Sequence, residues 1–186
     1  SNWKFMNVLA LHVSSMGTFF STGGNGIYRT TNDGLNWSLI TYTHPDWTLS
    51  SIGHIATISG NIVTGREYYG ILMSTNNGAN WLQSFGDNRY ILGLSVVDTR
   101  LFAGLRRDGV WYSDFGSGWT WGGLGFNPEL DFYNVAGNAS VVYAGSNTVG
   151  VYKSTNNGTN WTPTGLTGTD SRCVAAINNY IFARTS

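Results

Sequence analysis

A chain of 186 residues with 41% hydrophobic residues is long enough for one domain with a sizeable core. Only 11% is charged, with Lys+Arg and Asp+Glu balanced at 10 each, so no net field draws it to nucleic acid or to an anionic membrane surface. The single cysteine, Cys173, excludes an internal disulfide and a cysteine zinc cluster, and no apolar run approaches the ~20 residues of a membrane-spanning helix.

With 25 glycines, 3 prolines and 15% aromatics, the composition predicts short strands joined by positive-φ turns. In chain order, Ser1-Asn2-Trp3 reads as the end of a hairpin. Apolar strands are then expected at Val8 to Val13 and Phe19-Phe20, followed by a glycine-bounded turn, Gly23 to Gly26, and the segment Ile27 to Trp37. The same order returns as Ile52 to Ile58, Ile62-Val63, Gly65 to Gly70 and Ile71 to Trp81. It returns again as Ile91 to Val97, Leu101-Phe102, Gly104 to Gly109 and Val110 to Trp119. A fourth round runs Tyr133 to Ala136, Val142-Tyr143, Gly145 to Gly150 and Val151 to Trp161, and a fifth begins with Arg172 to Ile177 and Tyr180 to Ala183. The spacing of about 40 residues is that of a four-stranded propeller blade.

The expected fold is therefore all-β: a β-propeller of four-stranded antiparallel blades, about four and a half of them. The blades fall near 7–40, 50–84, 90–124 and 132–165, with a partial blade at 171–186 and residues 1–5 as a fourth strand. Two readings of the ends stay open. The stretch belongs to a larger propeller of six to eight blades, or the terminal pieces share one blade of a five-bladed ring. The first is preferred, because a missing strand leaves bare sheet edges.

The recurring motif is Thr30, Asn32, Gly34, Trp37; Ser74, Asn76, Gly78, Trp81; and Ser154, Asn156, Gly158, Trp161. A degenerate copy keeps Asp114, Gly116 and Trp119, with Tyr112 read at the hydroxyl position. These residues resemble the Asp-box (BNR) repeat of sialidases and of many secreted and cell-surface bacterial propellers. Asn is expected to bond its own backbone two residues on, Gly to supply the left-handed conformation, and Trp to pack on the turn. The role is structural. Asn in place of the family's Asp is a poor ligand for hard cations, so no metal or other cofactor is expected. Four N-x-[ST] sequons, at Asn36, Asn138, Asn157 and Asn160, are explained mostly by the same turn chemistry.

The resemblance implies that function lies at the opposite blade ends, on the loops joining second to third strands and one blade to the next. Candidate ligand-face residues there are Asp46, Trp47, Arg66, Glu67, Tyr68, Tyr69, Asp87, Arg89, Arg106, Arg107, Asp108, Asp131 and Phe132. Sialidase chemistry lacks its family arginine motif. A xyloglucanase-like pair of acids is conceivable among Asp46, Asp87, Asp131 and Asp170, although repeat symmetry places these equally well. No catalytic residue is assigned. Cys173 is aligned with His12, His54, Gly93 and Asn134 at one first-strand position, read as packing rather than metal binding.

The expectation is a non-enzymatic, secreted or surface binding scaffold for a protein or glycan partner, with neither nucleic acid nor membrane insertion. A glycoside hydrolase is the alternative. An assembly factor similar to the photosystem II stability propeller, using an arginine patch such as Arg66, Arg106 and Arg107, is the third reading.

Overall fold

The computed structural model describes residues 7–23, 26–40, 52–86, 88–115, 117–123, 125–127, 129–138, 140–177 and 180–185, and no helix occurs among them. They build 18 strands. Each glycine-rich turn reverses the chain, so consecutive strands pair antiparallel and sheets form in strict sequence order. The expected fourth strand at 1–5 lies outside the described residues. The chain divides into two compact units, Ser1–Arg89 and Tyr90–Ser186.

In the first unit, β1 (Val8–Ser14), β2 (Gly17–Thr22), β3 (Gly26–Thr30) and β4 (Ser38–Ile40) form one four-stranded sheet. A second comprises β5 (Ile52–Ile58), β6 (Asn61–Arg66), β7 (Gly70–Ser74) and β8 (Leu82–Phe85). β1 and β2 pack on β5. Phe19, Ile27, Ile40, Ile55, Ile62, Leu72 and Trp81 fill the space between the sheets.

The second unit holds β9 (Ile91–Val97), β10 (Arg100–Leu105), β11 (Val110–Asp114) and β12 (Thr120–Trp121) in one sheet. Its second sheet is β13 (Phe132–Gly137), β14 (Val142–Ser146), β15 (Gly150–Ser154) and β16 (Thr162–Thr167), followed by the pair β17 (Cys173–Ile177) and β18 (Tyr180–Arg184). The first strands stack in sequence, β9 on β13 and β13 on β17. Its core gathers Val97, Phe102, Phe132, Val135, Val142, Tyr152 and Trp161, with Phe126 stacked on Trp161 and tilted against Phe132. Four-stranded antiparallel sheets stacked through their first strands are propeller blades, and the fold is a partial β-propeller.

One register position reveals how the blades seat. Ser21, Gly104 and Gly145 occupy equivalent sites on second strands. A Cβ on Gly104 would lie 2.4 Å from the Phe132 carbonyl oxygen, and one on Gly145 would lie 2.2 Å from that of Ser171. In the first blade the Ser21 hydroxyl instead donates to the Ile52 carbonyl at 2.6 Å. Glycine admits the next blade's backbone, and serine bonds to it.

The register also corrects the alignment of first strands. Ala10 pairs with Ser21 as His54 pairs with Gly65, Gly93 with Gly104 and Asn134 with Gly145. His12 therefore lies two residues beyond that position. It faces the second blade, with Nε2 2.9 Å from Thr57 Oγ1. Asn134 spans to the next blade, donating to the Val174 carbonyl at 2.6 Å and accepting from its N–H at 2.8 Å.

Candidate functional site

Two ends of the blades carry the sequence-selected residues. At the turn end, the Asn-Gly motif closes the hairpins between third and fourth strands. The Thr30 hydroxyl donates to Asn32 Oδ1 at 2.9 Å and accepts from the Gly34 N–H at 3.1 Å, while Asn36 N–H donates to the same Oδ1 at 3.0 Å. Ser74 with Asn76, Gly78 and Asn80 repeats this, as does Ser154 with Asn156, Gly158 and Asn160. The carboxamide thus reaches the backbone four residues on, not two. Asp33 and Gly34 both have positive φ, 54° and 86°, and the Leu35 N–H donates to the Asn32 carbonyl, which makes a type I′ geometry. Trp81 and Trp161 are buried and donate their indole N–H to Gly78 and Gly158 carbonyls; Trp37 is half-buried.

The degenerate copy departs in a definite way. Register aligns Ser113, paired with Leu101, with Ser74 and Ser154, so Ser113 and not Tyr112 holds the hydroxyl position. One residue is missing after it. Asp114 cannot repeat the carboxamide bonds and instead takes Arg100 through two 2.7 Å contacts. Gly116 lies outside the described residues, and Trp119 is half-buried.

At the loop end the expected ligand-face residues separate. Asp46, Trp47 and Asp87 lie outside the described residues. Two of the others do not face solvent. Phe132 is fully buried in the second unit's core, because its strand position points under the sheet. Arg66 ends β6 at 1% exposure, with its guanidinium 4.6 Å from the Tyr69 ring centroid, a cation–π contact that accommodates a buried cation. Glu67, Tyr68 and Tyr69 are exposed in the β6–β7 turn, where Tyr68 has φ of 72°. A tyrosine in the left-handed region costs about 1–2 kcal/mol, so the turn holds it there against its preference. Arg89 is half-buried and lies over Phe85.

The second unit concentrates the rest around a tyrosine that the sequence reading passed over. First strands carry a one-residue bulge near their start, and in β13 the bulged residue is Tyr133. Equivalent bulges fall at Leu9 and Gly53 in the first unit. A bulge re-aims its side chain, and here it leaves the phenol half-exposed. Arg172 lies over the ring, 5.1 Å from its centroid, and its Nε meets both Asp170 carboxylate oxygens at 2.8 and 3.0 Å. Arg106 stacks on Tyr90 at 5.3 Å. The Arg107 N–H, at a φ of 53°, donates to Asp131 Oδ1 at 3.1 Å. Asp131 is in turn held by Asn147, which accepts its N–H and donates to its carbonyl. Asp108 is half-buried. Burial pushes the Tyr133 phenol above its usual value; the charges of Arg172 and Arg106 oppose this, and those of Asp131 and Asp170 add to it. The Arg172 guanidinium is raised, chiefly by its bond to Asp170.

Tyr133, Arg106, Arg107, Arg172, Asp131 and Asp170 form an aromatic-lined cluster of both charge signs with one more cation than anions. Such a surface can hold a ligand's polar groups in a fixed register. Among the described residues, no three His, Cys, Asp or Glu side chains gather as metal ligands, and no helix is long and apolar enough to cross a membrane. Tyr133 had a sequence signal: it is polar where the aligned bulges are Leu9 and Gly53, and it stands beside Asp131.

The fold defines the class as that of β-propellers. No family model matches the chain, and no curated protein matches it. Solved structures do. The computationally designed Ika8 protein superposes with a TM-score of 0.74 at 14% identity, over 96% of this chain and 55% of its own. An ancestral GH74 enzyme gives 0.70 at 25% identity, over 84% of this chain and 24% of its own. YCF48 from Cyanidioschyzon merolae gives 0.71 at 14% identity, over all of this chain and 69% of its own. A YCF48 structure bound to D1 peptide gives 0.69 at 12% identity, over all of this chain and 64% of its own. The chain thus spans about half of the designed propeller and a quarter of the GH74 enzyme.

Proposed function

We propose that this protein is a non-enzymatic, secreted or surface propeller that binds a partner through its loop end, with the Tyr133 cluster as the centre of contact. The partner class is an extended protein segment or a glycan. The observation that carries this reading is the pairing of Arg106 with Tyr90 and Arg172 with Tyr133 around an outward-aimed phenol. Stacked arginines are pre-organised, so they lose little freedom on binding. A structural neighbour solved with a bound peptide supports the protein-segment form of the reading.

The second reading, a glycoside hydrolase, is favoured by the 25% identity to an ancestral GH74 enzyme. Asp131 and Asp170 would then be the described candidates for its acids.

One experiment separates the two: a peptide- and glycan-array screen run beside an oligosaccharide-hydrolysis assay, with Tyr133→Phe, Arg172→Gln, Asp131→Asn and Asp170→Asn. Binding without turnover that falls about tenfold in the Tyr133 or Arg172 variants, on the order of 1.4 kcal/mol, supports the scaffold. Hydrolysis abolished by either Asp variant replaces it with the enzyme.

A further inference from the structure

In the first unit, the turns of the first two blades enclose a groove of about 640 Å³, at the end opposite the loops. Arg29, Asn32, Asn36, Ser38, Asn76 and Asn77 supply polar lining, and among the described residues no Asp or Glu lines it.

The orientation of the carboxamides there is fixed by their partners. Backbone N–H groups of Asn36 and Asn80 and the hydroxyls of Thr30 and Ser74 all donate to Asn32 and Asn76, so those contacts must be made by Oδ1. The turn consumes the acceptor end of each carboxamide and leaves the Nδ2 donors. Asn77 likewise turns Oδ1 to Arg29 Nη1 at 3.5 Å. Arg29 gives Nε and Nη2 to the Met16 carbonyl, and its remaining N–H groups have no acceptor in these contacts. Among the described residues, the groove therefore brings together one cation and several amide donors with no carboxylate.

In the second unit an arginine from a different strand position, Arg100 at the start of β10, reaches the equivalent turn residue but is neutralised. Arg100 reaches the next turn through the Asn157 carbonyl, but Asp114 takes its guanidinium bidentately. Among the described residues, Arg29 meets no such carboxylate.

We infer that the groove between the first two turns is a binding site for a carboxylated saccharide, its carboxylate received by Arg29 and the Nδ2 groups of Asn32 and Asn76. Ring hydroxyls, which both donate and accept, would meet Asn36 and Ser38. The inference is independent of the loop-end reading, since it uses neither the same residues nor the same end of the blades.

The test exploits an isosteric change. Asp at 32 and 76 keeps the oxygen that the turn requires and replaces each donor by a second carboxylate oxygen. Binding of an oligogalacturonate and of a neutral oligosaccharide of equal length would be measured by calorimetry on the whole chain, wild type and Asn32→Asp/Asn76→Asp, with thermal midpoints recorded. Expected are preference for the oligogalacturonate, at least a tenfold loss in the double variant, and an unchanged midpoint. Arg106→Ala/Arg107→Ala locates the binding: loss in that variant would assign it to the loop end and overturn the inference. Equal affinity for the neutral sugar, undiminished binding by the double variant, or no binding by the wild type would overturn it as well.

Discussion

Two seams of the molecule use one device to different ends. Between the first and second blades, Arg29 leans to Asn77 and Ile40 sits against Gly78. Between the third and fourth, Arg100 leans to Asn157 and Phe102 sits against Gly158. Asn77 and Asn157 are the same left-handed residue of the turn, with φ of 57° and 53°. The difference is the preceding turn. The complete copy at Thr30–Trp37 has a carboxamide facing the groove, whereas the shortened copy releases Asp114 to close an ion pair. The seam with the shortened turn carries an arginine–carboxylate pair where the seam with the complete turn presents carboxamides, while both blades keep their strands.

The sharpest way to break this comparison is through the motif glycines. A Cβ at Gly158 would lie 2.4 Å from Phe102 Cε1 and one at Gly78 2.0 Å from Ile40 Cγ2, whereas at Gly34 the nearest atom is Trp37 Nε1 at 3.8 Å. All three have positive φ. Gly158→Ala should therefore cost about 2–4 kcal/mol, overpacking added to backbone strain, and Gly34→Ala about 1 kcal/mol of strain alone. Equal losses in chemical denaturation would show that the seams do not depend on the glycine's missing side chain.

Next in size is the hydroxyl. Ser154→Ala strips the buried Gly158 N–H of its acceptor and Asn156 Oδ1 of a donor, so about 1–3 kcal/mol should be lost, with Ser154→Thr recovering most of it. Ser113→Ala should cost less, because the bonds of Ser113 among the described residues are donations to the nearby Asp114 and Ser117 carbonyls.

Arg100→Gln should cost roughly 1 kcal/mol or less, since Asp114 is 56% exposed and solvent screens the pair. The loss should shrink in high salt, and that of Gly158→Ala should not. A salt-independent Arg100 effect would mean that its stacking on Tyr112 outweighs its charge.

The smallest effect concerns pH and the first seam alone. Burial pushes the His12 imidazole below its usual value of about 6.5. The unfolded chain then binds the proton more readily. Stability is full above the unfolded value and declines as pH falls from about 6.5 toward the lower folded value, with no further loss beneath it. His12→Gln should flatten that part of the pH–stability curve by less than about 1 kcal/mol. An unaltered slope would assign it to other groups.

Much of the fold was legible because each blade repeats the same physical demands: an apolar pair, a glycine turn, and Asn-Gly before a tryptophan. One misalignment came where the count of residues changes, the other where a period-2 strand offers two equivalent-looking slots. The deletion in the third turn moved the hydroxyl from Tyr112 to Ser113, whereas His12 and Ala10 are alternate residues on one face of the same strand and only the cross-strand pairing of Ala10 with Ser21 tells them apart. At the loop end, Arg106, Arg107 and Asp131 were selected by residue type, while residue type gave no sign of the burial of Arg66 and Phe132. Charge and aromaticity identify what a side chain can do, but not which neighbour covers it.

The sequence by itself determined the repeat, the antiparallel strand order and the turn residues, because these depend on local conformational preference and on contacts a few residues apart. Tertiary structure alone decided which side chains meet across blades: Ser21 with Ile52, Asn134 with Val174, Arg172 over Tyr133. Those meetings depend on how one sheet seats on the next, a long-range packing outcome to which a bulge or a missing residue contributes as much as the identity of any side chain.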